Sequence, residues 1–404
     1  MRSSTEQRFQ QAADELTRLP APGPDAQAVS ERLIALIRDE IAAAGGRIGF
    51  ARYMELALYA PGLGYYSAGS RKFGEAGDFV TAPEISPLFS QCLARQIADV
   101  NDAIGQGAVL EVGAGSGVMA ADILAELERM DRLPVHYAIL ERSAELRARQ
   151  RETLAARVPR LLPRVQWLDA LPGDGFRGVI VANELLDAMP VQLFEVGHDG
   201  VLERGVSWAD DRFHWDTAAP AEPQLAARLA SLAEGLPGGY QSEINLAAEA
   251  WIESAADTLQ AGALLLIDYG YSRREYYLPE RRRGTLMCHY RHRAHDDPFV
   301  YPGLQDITAH VDFTAMAEAA HDAGLTVSGY TTQACFLLSC GITELAERAM
   351  GGDHDQRRQI LLAQQIRSLT MPGEMGERFK VMAATRGVDA PLRGFAMQDL
   401  RRNL

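Results

Sequence analysis

The sequence predicts an α/β fold in which a Rossmann-like sheet follows a helical N-terminal lobe. Three observations lead to this prediction. From residue 107 onward, short apolar segments alternate with segments of helical periodicity, a pattern typical of parallel strands joined by right-handed crossovers. The first apolar segment ends in a glycine-rich turn. Before it, apolar residues recur at helical spacing, and 47% of the 404 residues are hydrophobic, enough for a large core.

The N-terminal lobe is predicted element by element. Residues 1–27 are polar and contain three prolines, so we expect a loose arm. Apolar spacing predicts helices over residues 30–44 and 50–59. Residues 61–87 contain too many glycines and prolines for regular structure and are predicted to form a long ordered loop. Because proline suits a first helical turn, another helix is expected from Pro87 to about Val100.

The sheet is predicted from the next part of the chain, where short strands and helices alternate. This alternation favours a parallel sheet. The predicted strands are residues 108–112, 135–140, 164–168 and 178–182, and the predicted helices are residues 117–130 and 143–157.

Residues 191–216 have a different pattern, with Asp-Gly and Asp-Asp turns between β-rich segments. We expect an antiparallel meander inserted into the sheet. Later elements are predicted as a helix at 244–260, a strand at 263–267, a helix at 313–323, a strand at 325–333, helices within 342–370 and a last strand at 378–385. The predicted domains are a lobe over 1–106 and a domain over 107–404, with insertions near 191–240 and 336–372.

Composition limits the classes of partner. The formal net charge of −14 makes a nucleic-acid substrate unfavourable, because an acidic surface repels phosphates. No run of about 18 apolar residues occurs, so no membrane span is expected. The four cysteines form no CxxC pair and predict reduced thiols in a cytoplasmic compartment. The N-terminus has neither an apolar signal segment nor the acid-poor character of a transit peptide.

The glycine-rich turn predicts a ligand site at the end of the first strand. Its glycines are Gly113, Gly115 and Gly117, with Ala114 and Ser116 between them. Such glycines let the backbone approach a ligand and present amide donors at a helix N-terminus. The dinucleotide fingerprint would place its third glycine at Val118, so this spacing argues against NAD. Glu111 suits a ligand that carries an ammonium and a sulfonium.

Acidic residues follow the next two predicted strands. Glu141 could accept hydrogen bonds from ribose hydroxyls, which both NAD and S-adenosylmethionine offer. Asp169, next to Ala170, could accept from an adenine amino group. The alternative for both acids is an exposed carboxylate that caps a helix or a strand end.

A third acidic segment, Asn183 to Pro190, follows the fourth strand. The carboxyl ends of parallel strands meet at one edge, so this segment should face the same crevice as the glycine turn. Asn183, Glu184 and Asp187 are candidate catalytic residues there. Carboxylates can hold the planar fork of a guanidinium acceptor for an in-line methyl transfer. The alternative is a helix cap with solvated acids.

Together these segments resemble the MidA-like family of S-adenosylmethionine-dependent methyltransferases, which includes the mitochondrial complex I assembly factor. The resemblance covers about residues 30–390 and is carried by several blocks besides the glycine turn. These blocks are residues 53–59 (YMELALY), 61–66 (PGLGYY), 77–86 (GDFVTAPEIS), 183–190 (NELLDAMP), 267–271 (IDYGY) and 305–313 (QDITAHVDF).

The resemblance implies a seven-stranded methyltransferase sheet, S-adenosyl-L-methionine as cofactor and protein arginine methylation on a respiratory-complex subunit. It implies that Gly113 and Gly115 line the cofactor, with Glu141 at its ribose. The loop over residues 77–86, which contains Thr81 and Pro83, would close over the cofactor. Asn183 and Glu184 would face the acceptor. Ala114 is a departure, because relatives often have proline there.

Several alternatives stay open at this point. The chain could methylate a small molecule, or grip an assembly partner without catalysis, and an oxidoreductase is disfavoured by the glycine spacing. A protein substrate is expected, and a homodimer is allowed. No metal site is predicted, because His289, His292 and His295 alternate with arginines and lack a cysteine or carboxylate to complete a ligand set. A basic cluster is interpreted as a solvated loop, with docking to a partner protein as the alternative; its members are Arg273, Arg274, Arg281, Arg282 and Arg283.

Overall fold

The computed structural model describes residues 19–67, 81–351 and 355–404. The strands are β1 (Arg47–Gly49), β2 (Ala108–Val112), β3 (Tyr137–Leu140), β4 (Val165–Leu168), β5 (Phe176–Asn183), β6 (Gln192–Val196), β7 (Val201–Ala209), β8 (Arg212–Ala218), β9 (Gln241–Ile244), β10 (Leu259–Tyr271), β11 (Met287–Tyr290), β12 (Arg293–His295), β13 (Asp306–Thr308), β14 (Val311–Asp312), β15 (Thr326–Thr332) and β16 (Phe379–Arg386). The helices are α1 (Pro24–Ala43), α2 (Phe50–Tyr59), α3 (Ala82–Ile85), α4 (Pro87–Ala103), α5 (Val118–Arg129), α6 (Ala144–Arg157), α7 (Pro223–Ala233), α8 (Leu246–Thr258), α9 (Arg273–Tyr276), α10 (Phe313–Asp322), α11 (Gln333–Ser339), α12 (Ile342–Met350), α13 (Gln356–Thr370) and α14 (Met375–Arg378). None of these helices combines the length and apolarity needed to cross a membrane.

The described residues form two compact units that alternate along the chain. The first contains residues 19–67, 190–244 and 279–309, and the second contains the remaining described residues. Helix α4 precedes residue 107 and yet belongs to the second unit, with the large sheet. The domain boundary drawn after residue 106 stays a prediction.

The second unit is built on a mixed sheet, which confirms the predicted α/β fold. A path of seven strands runs in the order β15-β16-β10-β5-β2-β3-β4, and β14 pairs beside the end of β10. The five strands from β10 to β4 are parallel, whereas β16 is antiparallel to both of its neighbours. One face packs against α4 and α5, and the opposite face packs against α8 and α10, so the central strands are buried on both sides.

The first unit holds the antiparallel meander, and here the sequence prediction was wrong about its place. Strands β6, β7 and β8 do form a meander, but they pair with β1 and β9 in a separate five-stranded sheet rather than within the large one. A further small sheet of β11, β12 and β13 was not predicted. A third apolar core, with Leu33, Phe50 and Tyr53 fully buried, stabilises this unit.

The close spacing of β2, β5 and β10 depends on two glycines. Gly178 in β5 and Gly262 in β10 have φ values of 145° and 133°. A Cβ atom on Gly178 would lie 1.9 Å from the carbonyl oxygen of Ala108, and one on Gly262 would lie 1.8 Å from that of Gly178. The three strands can therefore keep their register only without side chains at these positions.

We expect Gly178→Ala to lower the free energy of unfolding by about 3 kcal/mol, because it combines an unfavourable φ with a clash against the backbone of β2. Gly173→Ala is the matched control, since an added Cβ there meets nothing within 4 Å. Urea unfolding of both variants measures the difference. Equal stability of the two variants would contradict the role given to Gly178.

Candidate functional site

The glycine turn joins β2 to α5 in the second unit, as predicted. Gly113, Gly115 and Gly117 have φ values of 71°, 51° and 81°, a left-handed conformation that glycine adopts without steric cost. Gly117 also lies against α6, where an added Cβ would come within 3.0 Å of the Cα of Gln150. The alternating glycines therefore serve both the shape of the turn and its packing against a neighbouring helix.

Gln150 connects this turn to the acid that follows β3. Its Nε2 donates to the carbonyl oxygen of Gly115 at 3.1 Å and to Oε2 of Glu141 at 3.2 Å. Its Oε1 accepts a hydrogen bond of 2.9 Å from Nε1 of Trp167 in β4. Because the Gln150 side chain is fully buried, these bonds hold the Glu141 carboxylate at a set position relative to the glycine turn.

Glu141 is itself largely buried, and burial raises the pKa of its carboxyl. Its Oε1 accepts from the backbone N–H of Ser143 at 2.9 Å. This arrangement leaves Glu141 at the carboxyl end of β3, the edge where a ribose acceptor was predicted. No sequence pattern marks Gln150, because a polar residue within a helix usually faces solvent.

Asp169 and Ala170 follow β4 at the same edge, and both are exposed. Arg147 of α6 donates to the carbonyl oxygens of Glu141 and Leu168 at 2.5 and 2.6 Å, and to Oδ1 of Asp169 at 2.7 Å. The Arg147 guanidinium thus links the carboxyl ends of β3 and β4 through hydrogen bonds. The adenine contact assigned to Asp169 stays a prediction.

The segment around α3 lies next to the glycine turn. The Ser116 hydroxyl donates to Oε1 of Glu84, which brings the helix that contains Pro83 beside the turn. Thr81 is the residue before this helix. Residues 77–80 of the predicted covering loop lie outside the described residues. Glu84 was not singled out from the sequence, because neither periodicity nor spacing marks it.

Glu111 lies inside the second unit, one residue before the end of β2. It is fully buried, and its Oε2 accepts a hydrogen bond of 2.5 Å from the hydroxyl of Tyr137. Burial raises the pKa of this carboxyl to about 7, although the Tyr137 bond opposes the shift. Among the described residues, Oε1 of Glu111 has no hydrogen-bond partner. A buried acid of this kind is an acceptor that a cationic group can satisfy.

The acidic segment after β5 approaches the glycine turn. An added Cβ on Gly113 would lie 3.2 Å from Cδ1 of Leu185, so the two loops meet at the carboxyl edge of the sheet. Strand register explains the meeting, because Val112 pairs with Ala182 and Asn183 pairs with Ile267. The predicted convergence of these loops is therefore present in the second unit.

Within this segment, Asp187 and Asn183 present acceptor oxygens. Oδ2 of Asp187 accepts from the hydroxyl of Tyr269, and burial raises the pKa of this carboxyl to about 6. Oδ1 of Asp187 and Oδ1 of Asn183 are buried and have no donor among the described residues. Glu184 lies between them in sequence and adopts a φ of 49°, uncommon for a residue other than glycine.

Asp268 holds the backbone of this segment in place. Its Oδ2 accepts from the backbone N–H groups of Leu186 and Asp187 at 3.0 and 3.3 Å, and its Oδ1 accepts from that of Tyr269 at 2.9 Å. Burial and the nearby Asp187 and Glu184 raise the pKa of Asp268. The bonds from Leu186 and Asp187 show that Asp268 supports the neighbouring loop.

Comparison with known proteins agrees with this geometry. A family model described as "Putative S-adenosyl-L-methionine-dependent methyltransferase" matches residues 92–331, which include the glycine turn, Glu141, Asp169 and the segment from Asn183 to Pro190. This chain belongs to that family. S-Adenosyl-L-methionine is therefore its cofactor, and the predicted resemblance is confirmed.

Solved structures and curated proteins extend the comparison. A crystal structure from Burkholderia thailandensis, bound to S-adenosyl-homocysteine, is 51% identical, covers 96% of this chain and 100% of its own, and superposes with a TM-score of 0.91. Curated relatives include the mitochondrial protein arginine methyltransferase NDUFAF7 of Danio rerio, 28% identical over 83% of each chain. The Caenorhabditis elegans homolog of that enzyme is 26% identical over 90% of this chain and 89% of its own.

We expect Glu111→Gln to stabilise the cofactor-free protein at pH 8. Between the unfolded pKa near 4.5 and the folded pKa of about 7, the folded state binds more protons, so stability falls as pH rises. Above pH 7 the penalty is constant and on the order of 3 kcal/mol. Thermal unfolding at pH 5 and pH 8 measures this penalty. The variant should be more stable than the wild type at pH 8, and the difference in stability should shrink at pH 5.

Glu152→Gln, which alters an exposed carboxylate in the third turn of α6, is the control and should show no such difference. A gain from Glu111→Gln that is the same at both pH values would contradict the burial argument.

Proposed function

We propose that this chain is a protein arginine N-methyltransferase that acts on a respiratory-complex subunit or another protein. The observation that carries the proposal is the pair of buried acceptor oxygens, Oδ1 of Asn183 and Oδ1 of Asp187, that lack a donor among the described residues. A guanidinium offers five N–H donors and no acceptor, so it complements such a site. The curated relatives are named as protein arginine methyltransferases, which supports the same acceptor.

The proposed cofactor-binding site lies at the carboxyl edge of the large sheet, at the glycine turn and the acids around it. Its residues are Glu111, Gly113, Ala114, Gly115, Glu141, Asp169, Ala170, Thr81 and Pro83. Bound there, S-adenosylmethionine supplies an activated methyl group. The buried Glu111 carboxylate suits an ammonium, and Glu141, held by Gln150, suits the two hydroxyls of a ribose.

The proposed roles of the acceptor residues follow from charge and position. Glu184 and the ionised Asp187 hold the guanidinium fork and orient one nitrogen toward the methyl group, while Asn183 accepts a further N–H. As the N–C bond forms, the methyl–sulfur bond would break, and its electron pair would leave with sulfur in S-adenosylhomocysteine. The methylated guanidinium nitrogen would then carry an extra proton. The carboxylate of Asp187, with a pKa of about 6, is a suitable first acceptor for that proton.

Glu184→Gln should reduce methyl transfer by about 100-fold or more while leaving cofactor affinity nearly unchanged, because the change removes a charge at the acceptor but not at the cofactor. Transfer of labelled methyl groups to proteins of an extract that lacks this enzyme, together with calorimetry with S-adenosylhomocysteine, measures the two effects. Glu145→Gln, at an exposed carboxylate of α6, is the control.

Methylarginine mass spectrometry of cells with and without the protein then tests the acceptor. No change at any arginine would reject the arginine proposal, and label that appears only in small molecules would favour a small-molecule methyltransferase.

The rate of methyl transfer should rise with pH through about pH 6 and level off above pH 7, because the acceptor requires ionised Asp187. Initial rates between pH 5 and 8 give this profile. Asp187→Asn should be slow throughout and lack the limb near pH 6. An unchanged limb in that variant would assign the titration to another group.

Gln150→Leu should weaken binding of S-adenosylhomocysteine by about tenfold, because Glu141 and the Gly115 carbonyl lose their shared donor. Trp167 loses its acceptor in the same variant, so its fluorescence should shift. Gln364→Leu on the exposed side of α13 is the control. Wild-type affinity in Gln150→Leu, combined with a shifted Trp167 signal, would show that Gln150 does not position the cofactor residues.

A further inference from the structure

The segment from Arg281 to His295 in the first unit is strongly basic. Its 15 residues include five arginines and three histidines and no acid, in a chain whose net charge is −14. All other residues together therefore carry a formal charge of −19. A basic segment in so acidic a protein can attract an anionic partner that the remaining surface repels.

This segment ends in a hairpin whose tip is exposed. Strands β11 and β12 are antiparallel, with Tyr290 paired to Arg293, and the two residues between them are Arg291 and His292. The side chains of Arg291, His292 and Arg293 are exposed. We call these three residues the basic tip.

The backbone of the basic tip has a conformation that arginine does not favour. Arg291 and His292 have φ values of 48° and 60°, so both lie in the left-handed region. Two-residue hairpin turns of this shape favour Asn-Gly or Asp-Gly. Arginine is unfavourable here, and strained residues of this kind concentrate at functional positions.

A second hairpin in the same unit provides a contrast. Between β7 and β8 the two turn residues are Asp210 and Asp211, with φ values of 50° and 57°. Aspartate tolerates the left-handed region, so this turn uses residues that suit its geometry. The two hairpin turns thus share positive φ values but have residues of opposite charge. Of the two, the basic tip is the one that departs from the residue preference of such turns.

The basic tip is firmly anchored. Cys288 of β11 is fully buried, Tyr290 is almost fully buried, and the Tyr290 ring lies 5.4 Å from that of Tyr301. Strand β11 also pairs with β13 on its other edge, where Cys288 lies opposite Ile307. The three basic side chains therefore extend from an ordered base, which lowers the entropic cost of binding a partner.

We propose that the basic tip docks an acidic segment of a partner polypeptide, and that this partner is the acceptor protein; the second part rests on the proposed function. Arginine pairs with carboxylates through two parallel hydrogen bonds. A short acidic peptide segment matches the small extent of the tip. A longer nucleic acid would bring many phosphates to a chain whose formal net charge is −14, so a polypeptide is favoured.

The variant R291N/H292G removes two basic side chains and installs the residues that the turn prefers, so folding should be maintained or improved. We expect it to bind a fluorescent oligoglutamate peptide at least tenfold more weakly than the wild-type protein, as measured by fluorescence anisotropy at low salt. The matched control is D210N/D211G, the same exchange in the acidic hairpin, which should bind the peptide as well as the wild type or better.

Three outcomes would overturn the proposal: no peptide binding by the wild-type protein, equal binding by both turn variants, or tighter binding of an oligonucleotide of equal charge. Glu184→Gln should bind the peptide normally, because the assay requires no methyl transfer. The result of the peptide-binding assay therefore does not depend on the outcome of the methylation assay. If the partner is the acceptor, R291N/H292G should also raise KM for acceptor proteins and leave kcat and cofactor affinity unchanged.

Discussion

The three backbone hydrogen bonds to Asp268 are the interaction on which the candidate site depends. Two of them, from the N–H groups of Leu186 and Asp187, hold the loop from Glu184 to Asp187 against β10. The third, from the N–H of Tyr269, orients the Asp268 carboxylate. The acid is buried beside two other carboxyls, which is unfavourable for its charge, and the amide donors offset part of that cost. Asn245 adds a hydrogen bond from its Nδ2 to the carbonyl oxygen of Leu186. Both backbone N–H groups and a backbone carbonyl of the loop are therefore held by side chains.

A buried site with more acceptors than donors is suited to cations. Glu111, Asn183 and Asp187 each have a buried oxygen without a donor among the described residues, and two of these groups are acids whose pKa burial raises. Leaving such oxygens unsatisfied is costly. The protein is therefore expected to be less stable without its ligands than its apolar cores suggest, and ligand binding should recover that stability.

Much of the sheet could be predicted from the sequence because its signals are local. The glycine turn, the strand–helix alternation and the acidic loop after β5 are each encoded within about ten residues. The place of the meander was wrong because its partner, β1, lies far away in sequence and has only three residues. Gln150, Asp268, Tyr269 and Glu84 act through contacts between distant segments, which neither periodicity nor motif spacing reveals. The prediction of strand β10 as residues 263–267 also stopped one residue before Asp268, whereas the observed strand continues to Tyr271.

The alternation of the two units along the chain has a consequence for biosynthesis. The pairing of β1 with β7 joins residues 47–49 to residues 205–207, and the first unit is complete only at residue 309. The large sheet requires β16, which begins at Phe379. Neither unit can therefore finish folding until most of the chain has been synthesised. Each unit must also bring together strands that are far apart in sequence, which closes long loops. The nascent chain exposes its apolar strands during that interval, which makes it a natural client for chaperones that shield such segments.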